Sequence, residues 1–305
     1  MEHYYSLNSY LQKTFGEKVY KLSLELGTTC PNRDGTLDTR GCSFCLAGSS
    51  HFTAGGPDIH TQLEEAKKLV AGKTKAKRFV AYFGSYTNTY GDISRLRKVF
   101  MQVLKRPDIA ALSIATRPDC LGSEILDLLE ELNRQKPVWV ELGLQTANEE
   151  TARVIRRHYT NNVYVEAVEQ LRSRGLEVIT HIILGLPGEK MDDALASVDL
   201  AVKAGTTGVK LQLLHVLRGT DLQKQYEAGG FSVLTLEEYI KWLFACIRRL
   251  PPCIVVHRIT GDAPKVHLIE PRWSADKKTV LGAINRAMER ENLYQGEAII
   301  SCEIP

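Results

Sequence analysis

No stretch of this sequence approaches the roughly eighteen consecutive apolar residues that a membrane-spanning helix needs. Its first residues, MEHYYSLNSYLQKTFGEKVY, also lack the basic run followed by an apolar run that marks an export signal. A membrane partner is therefore not expected, and the protein is expected in the cytoplasm. No internal repeat or low-complexity segment interrupts the chain. Charge of one sign is scarce too, since 39 Lys and Arg against 36 Asp and Glu leave a formal charge of +3. That balance is too mild to announce a polyanionic partner and does not oppose one. Cysteines number seven, an odd count that does not suit a secreted disulfide framework.

What is present is core-forming material. With 305 residues, 44% of them apolar, the chain can bury one large core, or a barrel with a small appendage. Short β-rich runs alternate with stretches of helical period, which is the pattern of βαβ units around a parallel sheet. Six strands are expected, at 21–27, 78–84, 111–116, 138–145, 177–185 and 208–215. Helices are expected at 61–71, 93–104, 123–132, 162–173, 192–203, 221–227, 235–249 and 276–291. Thr61 followed by Glu64 predicts a capping box at the start of the first of these.

Alternation within the strands assigns their faces. In the first, Leu22, Leu24 and Leu26 share one side and Ser23, Glu25 and Gly27 the other. In the fourth, Glu141, Gly143 and Gln145 oppose Val140, Leu142 and Leu144; in the sixth, Lys210 and Gln212 oppose Leu211 and Leu213. If helices cover the apolar face, the polar face lines the inside of a curved sheet. A closed eight-stranded barrel usually fills that space with branched aliphatics. Polar interiors on six strands instead suggest an open barrel wrapped around a ligand, although a solvent-facing antiparallel sheet would show the same alternation.

Ligands of parallel α/β folds bind at the carboxyl ends of the strands, where the βα loops gather. Each unusual stretch of this sequence follows such an end. CPNRDGTLDTRGCSFC follows the first strand, SYTNTYG the second, RPDC the third, QTANEE the fourth, LPGEK the fifth and VLRGT the sixth. The first loop sets Cys30, Cys42 and Cys45 at a Cys-x11-Cys-x2-Cys spacing. On the residues alone two readings stay open. His51 would complete a four-ligand zinc site. Alternatively, three thiolates hold three irons of a cubane cluster and leave the fourth iron free for a small molecule. Cys120, Cys246, Cys253 and Cys302 show no Cys-x2-Cys spacing, so they read as small buried hydrophobes and not as ligands of an auxiliary cluster.

Taken as a set, the cysteine loop with its NRDGT, YTNTYG, TRPDC, ELGLQT, RRH, HIILGLPGE and RGT resemble the radical S-adenosylmethionine superfamily, in its YhcC/YtqA-type branch. That branch is related to the radical domain of the Elongator catalytic subunit. The resemblance implies an α/β fold, a partial (β/α)6 barrel, with residues 1–20 as a lead-in, 21–220 as the barrel and 221–305 as an extension closing its open side. It implies that Cys30, Cys42 and Cys45 hold a [4Fe-4S] cluster whose fourth iron is chelated by the methionine group of S-adenosylmethionine. One electron then cleaves the sulfonium, and the resulting 5′-deoxyadenosyl radical takes hydrogen from substrate. Gly84, Ser85, Tyr86 and Thr87 stand where the family carries a Gly-Gly-Glu run that cradles the methionyl amino group. Glu141 and Gln145 match positions facing the ribose and the reaction centre, and are the catalytic candidates. Arg157 matches a clamp on the methionyl carboxylate, and Ile183 and Gly185 border the adenine.

The same kinship points to tRNA as partner and to the C5 side chain of the wobble uridine, with carboxymethylaminomethyl to aminomethyl conversion as the step. A small metabolite is the alternative substrate, and a non-catalytic zinc or iron–sulfur module the alternative role. No acetyltransferase segment accompanies the motifs, so acetyl-CoA-dependent addition is not expected. A one-electron donor such as flavodoxin or ferredoxin is implied. Arg258, Asp262 and Trp273 are the candidates for substrate contact, Trp273 because an indole stacks on a base. A plug at the base of the barrel is the other role open to that indole. Basic residues at Lys73, Lys75, Lys77, Arg78, Arg248, Arg249, Lys277 and Lys278 are candidate phosphate contacts.

Overall fold

The structure, a computed structural model, describes residues 2–46, 53, 56 and 58–299. Its frame is a curled parallel sheet whose strands follow sequence order: β1 (Val19–Leu24), β2 (Arg78–Phe83), β3 (Ile109–Thr116), β4 (Val138–Gln145), β5 (Glu177–Leu184) and β6 (Gly208–Leu213). Helices α1 (Leu7–Phe15), α2 (Ile59–Val70), α3 (Ile93–Leu104), α4 (Ser123–Asn133), α5 (Glu149–Val154), α6 (Asn161–Ser173) and α7 (Met191–Ala204) precede and connect them. Beyond β6 the chain forms β7 (Val216–Leu217), α8 (Asp221–Glu227), α9 (Leu236–Arg249), β8 (Val255–Arg258), β9 (Leu268–Glu270) and α10 (Lys277–Glu291). Among the described residues no helix is long and apolar enough to cross a membrane.

Six strands were expected and the sheet has seven, because β8 pairs in parallel with β6. Its apolar run is too short to be typed by periodicity and takes its identity from the free edge of β6. The fold is thus a half-barrel with β1 and β8 as its two edges, while β7 and β9 form a separate antiparallel ribbon. Two short helices escape the sequence pattern. The nine residues of α1 and six of α5 are too few to be stable alone and depend on packing. At α2 the expected Thr61 box gives way to Asp58, whose carboxylate accepts from the His60 and Thr61 amides. At α9 Thr235 and Glu238 do form a capping box.

Strand alternation divides the molecule into an outer and an inner core. Leu22, Leu24, Val140, Leu142, Leu144, Leu211 and Leu213 face the helices in one continuous apolar layer. The opposite parity lines the inside in tiers two residues apart. The tier nearest the strand starts is apolar, with Val19, Val80, Ala111, Trp139 and Ile179, and α1 closes it from below with Leu11. Trp139 is fully buried there and meets Tyr10 edge-on, at 5.8 Å between ring centres. The Tyr10 hydroxyl donates to Glu177 Oε1 at 2.6 Å, which fixes the helix to β5. Trp139, not Trp273, is therefore the indole at the base of the barrel.

If α1 is the plug of this inner core, Leu11→Ala lowers unfolding free energy by about 2–4 kcal/mol. Chemical denaturation checks it; a loss below about 0.5 kcal/mol, the range of a neutral surface change, would show that the helix only lies on the surface.

Candidate active site

Above the apolar tier the interior turns polar. Glu141, from the middle of β4, is 1% exposed and receives four partners. Its Oε1 accepts from Ser113 Oγ at 2.6 Å and Lys21 Nζ at 3.2 Å; its Oε2 meets His181 Nε2 at 2.7 Å and accepts from Lys210 Nζ. The Tyr82 ring lies between the lysines, 4.4 Å from Lys21 Nζ and 4.6 Å from Lys210 Nζ. Burial works to raise the carboxyl's pKa, but Lys21, Lys210 and His181 outweigh it and hold Glu141 ionised, well below the usual range. Burial, reinforced by Lys210, drops the His181 imidazole to about 4, so it is neutral near pH 7. Lys210 is pulled well below its ordinary value by burial, against the attraction of Glu141.

At the carboxyl ends of the strands, a cavity of about 210 Å³ opens over this tier. Cys30, Cys42 and Cys45 line one wall; Gly84, Tyr86, Thr87, Glu141 and Gln145 line others. The cysteine loop is tied down by the RRH stretch after α5. Arg156 Nε donates to Gly41 O at 2.8 Å and its Nη2 pairs with Asp221 at 2.7 Å; His158 faces Asp38 at 3.4 Å. The Ser43 amide donates to Ile155 O at 3.0 Å. Asn32, fully buried, donates to Cys42 Sγ at 3.4 Å and to Arg156 O at 2.9 Å. Below the second loop, Asn88 Nδ2 is shared by the carbonyls of Phe83, Ser85 and Ala115 at 2.9–3.1 Å. That holds Tyr86 in a left-handed conformation, φ 59°, beside the cavity.

Residues 25–201 match the family described as the Radical SAM superfamily, more than half of the chain, and residues 206–290 match the Radical_SAM C-terminal domain. The chain belongs to the radical SAM superfamily. It is 43% identical over 296 residues to the uncharacterized protein YtqA of Bacillus subtilis, covering 96% of this chain and 92% of that one. To protein YhcC of Escherichia coli K12 it is 37% identical over 291 residues, covering 95% and 93%. A tRNA uridine(34) acetyltransferase of Methanocaldococcus jannaschii is 26% identical over 191 residues, covering 60% of this chain and 33% of that protein. The solved structure of Methanocaldococcus infernus Elp3 shares the fold at a TM-score of 0.68 and 17% identity, covering 91% of this chain and 64% of that one.

The radical SAM superfamily uses a [4Fe-4S] cluster and S-adenosylmethionine, and the residues present fit both. Three thiols share one wall, each within electrostatic reach of a guanidinium, Arg33 or Arg117. Burial and the Cys45 sulfur push the Cys42 thiol up to about 12. A thiolate there needs a cation against it, and a cluster supplies one. Among the described residues no three His, Cys, Asp or Glu side chains close on a single ion; ligands of a cubane bind separate irons and stay apart. Gln145, at φ 65° where β4 breaks register, leaves its buried Oε1 without a partner beside the cavity. His51, needed for the zinc reading, lies outside the described residues, as does Cys302.

Of the other expected site residues, Arg157 lines the cavity, whereas Ser85, Ile183, Gly185 and Trp273 do not. Arg157 is 1% exposed, and all five of its donors are spent on protein acceptors: Tyr159 O, Leu144 O, Thr146 O, Glu149 Oε2 and Asn161 Oδ1, at 2.7–3.1 Å. Arg157 thus braces the end of β4, and Arg117, stacked 4.9 Å over Tyr159 and paired with Asp119, lines the same cavity. Ser85 and Ile183 are buried outside the cavity lining, and a Cβ on Gly185 would meet Leu234. Trp273 packs on Tyr239 and donates to Leu234 O at 3.1 Å, away from the cavity. Of the cysteines expected to be buried, Cys246 is, whereas Cys120 is half-buried and Cys253 exposed. Lys21 and Tyr82 went unremarked in the sequence, although each has the inward parity of its strand.

Two consequences can be measured. Arg157→Lys removes at least two of the five bonds from a buried hub; the apoprotein is expected to lose about 2–4 kcal/mol by denaturation. Unchanged apoprotein stability with weakened S-adenosylmethionine binding would return Arg157 to the clamp. Glu141→Gln strands two lysines and costs about 3 kcal/mol or more at pH 7. Because the folded pKa is depressed, the contribution of Glu141 is present above the unfolded value of about 4.3 and is lost as pH falls below it. The gap between wild type and Glu141→Gln should therefore narrow between pH 5 and pH 3; a pH-independent gap would mean the carboxylate is not the source.

Proposed function

We propose that this protein is a radical SAM enzyme that modifies the C5 side chain of the wobble uridine in tRNA, converting a carboxymethylaminomethyl group to an aminomethyl group. Water would take off the two-carbon unit as glyoxylate, and S-adenosylmethionine, ending as methionine and 5′-deoxyadenosine, would be the two-electron oxidant. The reading is carried by the match, across 60% of the chain, to a protein whose name specifies tRNA uridine 34. Only a third of that protein is matched, so its acetyl transfer is not carried over with the radical part. When bound, the cluster and S-adenosylmethionine supply a 5′-deoxyadenosyl radical able to take hydrogen from an unactivated carbon. The chain's own residues do the rest. Cys30, Cys42 and Cys45 hold the cluster, with the Asn32 amide bonded to one sulfur. The backbone of Gly84 to Thr87 and the side chain of Gln145 bind the methionyl and ribose groups, and Ile155 and Phe44 help exclude water at the rim. Glu141, ionised and locked by four partners, orients polar groups and is not a proton donor.

Arg258 and Asp262 face each other at 3.6 Å beside the interior, which suits substrate contact at the side of the barrel. Arg248 and Arg249 are engaged by Glu291, Glu297 and Asp199, which leaves them poorer phosphate contacts than their charge suggests. A flavodoxin or ferredoxin remains the proposed electron donor.

Modified nucleosides of total tRNA from a strain lacking the gene, compared with the complemented strain, test the reading. The expected result is wobble uridine retaining its carboxymethyl group, restored by wild type and not by Cys42→Ser. Unchanged wobble uridines would overturn the tRNA assignment. Reconstituted wild type should release 5′-deoxyadenosine, and Cys30→Ser, Cys42→Ser and Cys45→Ser should fall to background.

A further inference from the structure

A second cavity, of about 350 Å³, lies at the seam where the two edges of the half-barrel face each other across the N-terminal segment. Lys21, Lys210, Arg258 and Lys277 line it, and no acidic residue does. Among the described residues, two carboxylates serve these four cations. Glu141 is shared by Lys21 and Lys210, and Asp262 by Lys277, at 2.6 Å, and Arg258, at 3.6 Å. His257, also in the wall, has a buried Nδ1 with no hydrogen-bond partner and is kept neutral by burial and the field of Lys21. Four basic side chains against two carboxylates leave the wall short of negative charge, and the shortage reaches inward to Lys210, whose side chain is 2% exposed and whose ammonium form is disfavoured by burial. An anion entering at that depth would favour the charged form of Lys210 and complete the pairing that burial alone opposes.

We propose that the seam cavity receives the anionic tip of the substrate, a carboxylate on a slender side chain, gripped by Lys21, Lys210 and Arg258. The assignment rests on the wobble-uridine reading for the identity of the side chain, and on the cavity alone for its charge. Depth selects between sources of anion. A backbone phosphodiester carries a nucleoside on each side and cannot follow the channel to Lys210, whereas a terminal carboxylate can. Position supports the same choice. Glu141 and His181 line the cysteine cavity, and Glu141 is bonded to both lysines of the seam cavity. Glu141 borders both spaces, so a carboxylate held by the lysines would bring its neighbouring carbon toward the cysteine cavity.

Calorimetric titration of the reconstituted holoenzyme with 5-carboxymethylaminomethyluridine, 5-aminomethyluridine, N-methylglycine and inorganic phosphate tests this. The carboxylated nucleoside should bind about tenfold or more tightly than the aminomethyl one, the effect of one charge-assisted contact. Arg258→Gln should remove that advantage and Arg258→Lys should restore part of it, with circular dichroism confirming that both fold. Equal affinity of the two nucleosides in wild type, an advantage that survives Arg258→Gln, or phosphate binding as well as N-methylglycine would each overturn the proposal. Arg258-dependent binding of N-methylglycine with no binding of either nucleoside would uphold the anion site while sinking the uridine reading. Altered wobble uridines in the gene-deletion strain together with equal nucleoside affinities would do the reverse.

Discussion

A single buried carboxylate organises the interior of this half-barrel. Glu141 sits where a closed barrel would carry a branched aliphatic, and burying it alone would be prohibitive. Its partners come from β1, β3, β5 and β6, so one side chain ties strands from across the sheet into one polar tier. The cost of desolvating two lysines and a carboxylate is why such a tier is weak evidence for stability as such. Its value is positional. Charged groups held in mutual contact keep fixed positions, so the cavity above them has a defined floor.

The rim is held by a different device. The three residues of RRH work on three different targets: Arg156 on the cysteine loop and α8, Arg157 on the end of β4, and His158 on Asp38. Arg156 and His158 adopt left-handed backbone, φ 58° and 63°, a strain that persists only where surrounding bonds over-determine it. The cysteine loop has few apolar side chains to bury and so cannot order itself by packing. It is ordered instead by bonds exchanged with a neighbouring loop, Arg156 donating to Gly41 O while the Ser43 amide and the Asn32 side chain donate to Ile155 O and Arg156 O, and the thiols inherit their position from that staple.

Much of this was legible in the sequence, and the reason is parity. A strand's alternation states which side chains face inward, so Glu141 and Lys210 could be placed inside from the residues alone, and every motif loop could be set on one rim. Alternation does not state how many donors of a side chain are already spent. Arg157 reads as a free guanidinium in a string of letters, and only the tertiary arrangement of Leu144, Thr146, Tyr159 and Asn161 around it shows that no valence is left. Trp273 was open to two roles for a similar reason: an indole has one donor, and whether it meets a base or a carbonyl depends on a residue 39 positions away. The strand β8 was under-read because four residues carry too little period to declare themselves, and the edge that recruits them is formed by β6, more than 40 positions earlier.

The tiers also explain why the chemistry belongs at one end and the charge in the middle. Below Glu141 the interior is apolar and is covered by α1. Above it lie thiols, backbone, an unpartnered amide oxygen and the guanidinium groups of Arg33 and Arg117, a mixed set suited to soft metal and sulfonium ligands and to the carboxylate of an amino acid. Glu141 thus lines the cysteine cavity and is bonded to both lysines of the seam cavity, so one carboxylate borders two spaces of different character. Replacing that carboxylate by an apolar residue would leave the strands paired but merge two electrostatically distinct spaces into one, which is a constraint on the site that strand pairing and outer-core packing do not impose.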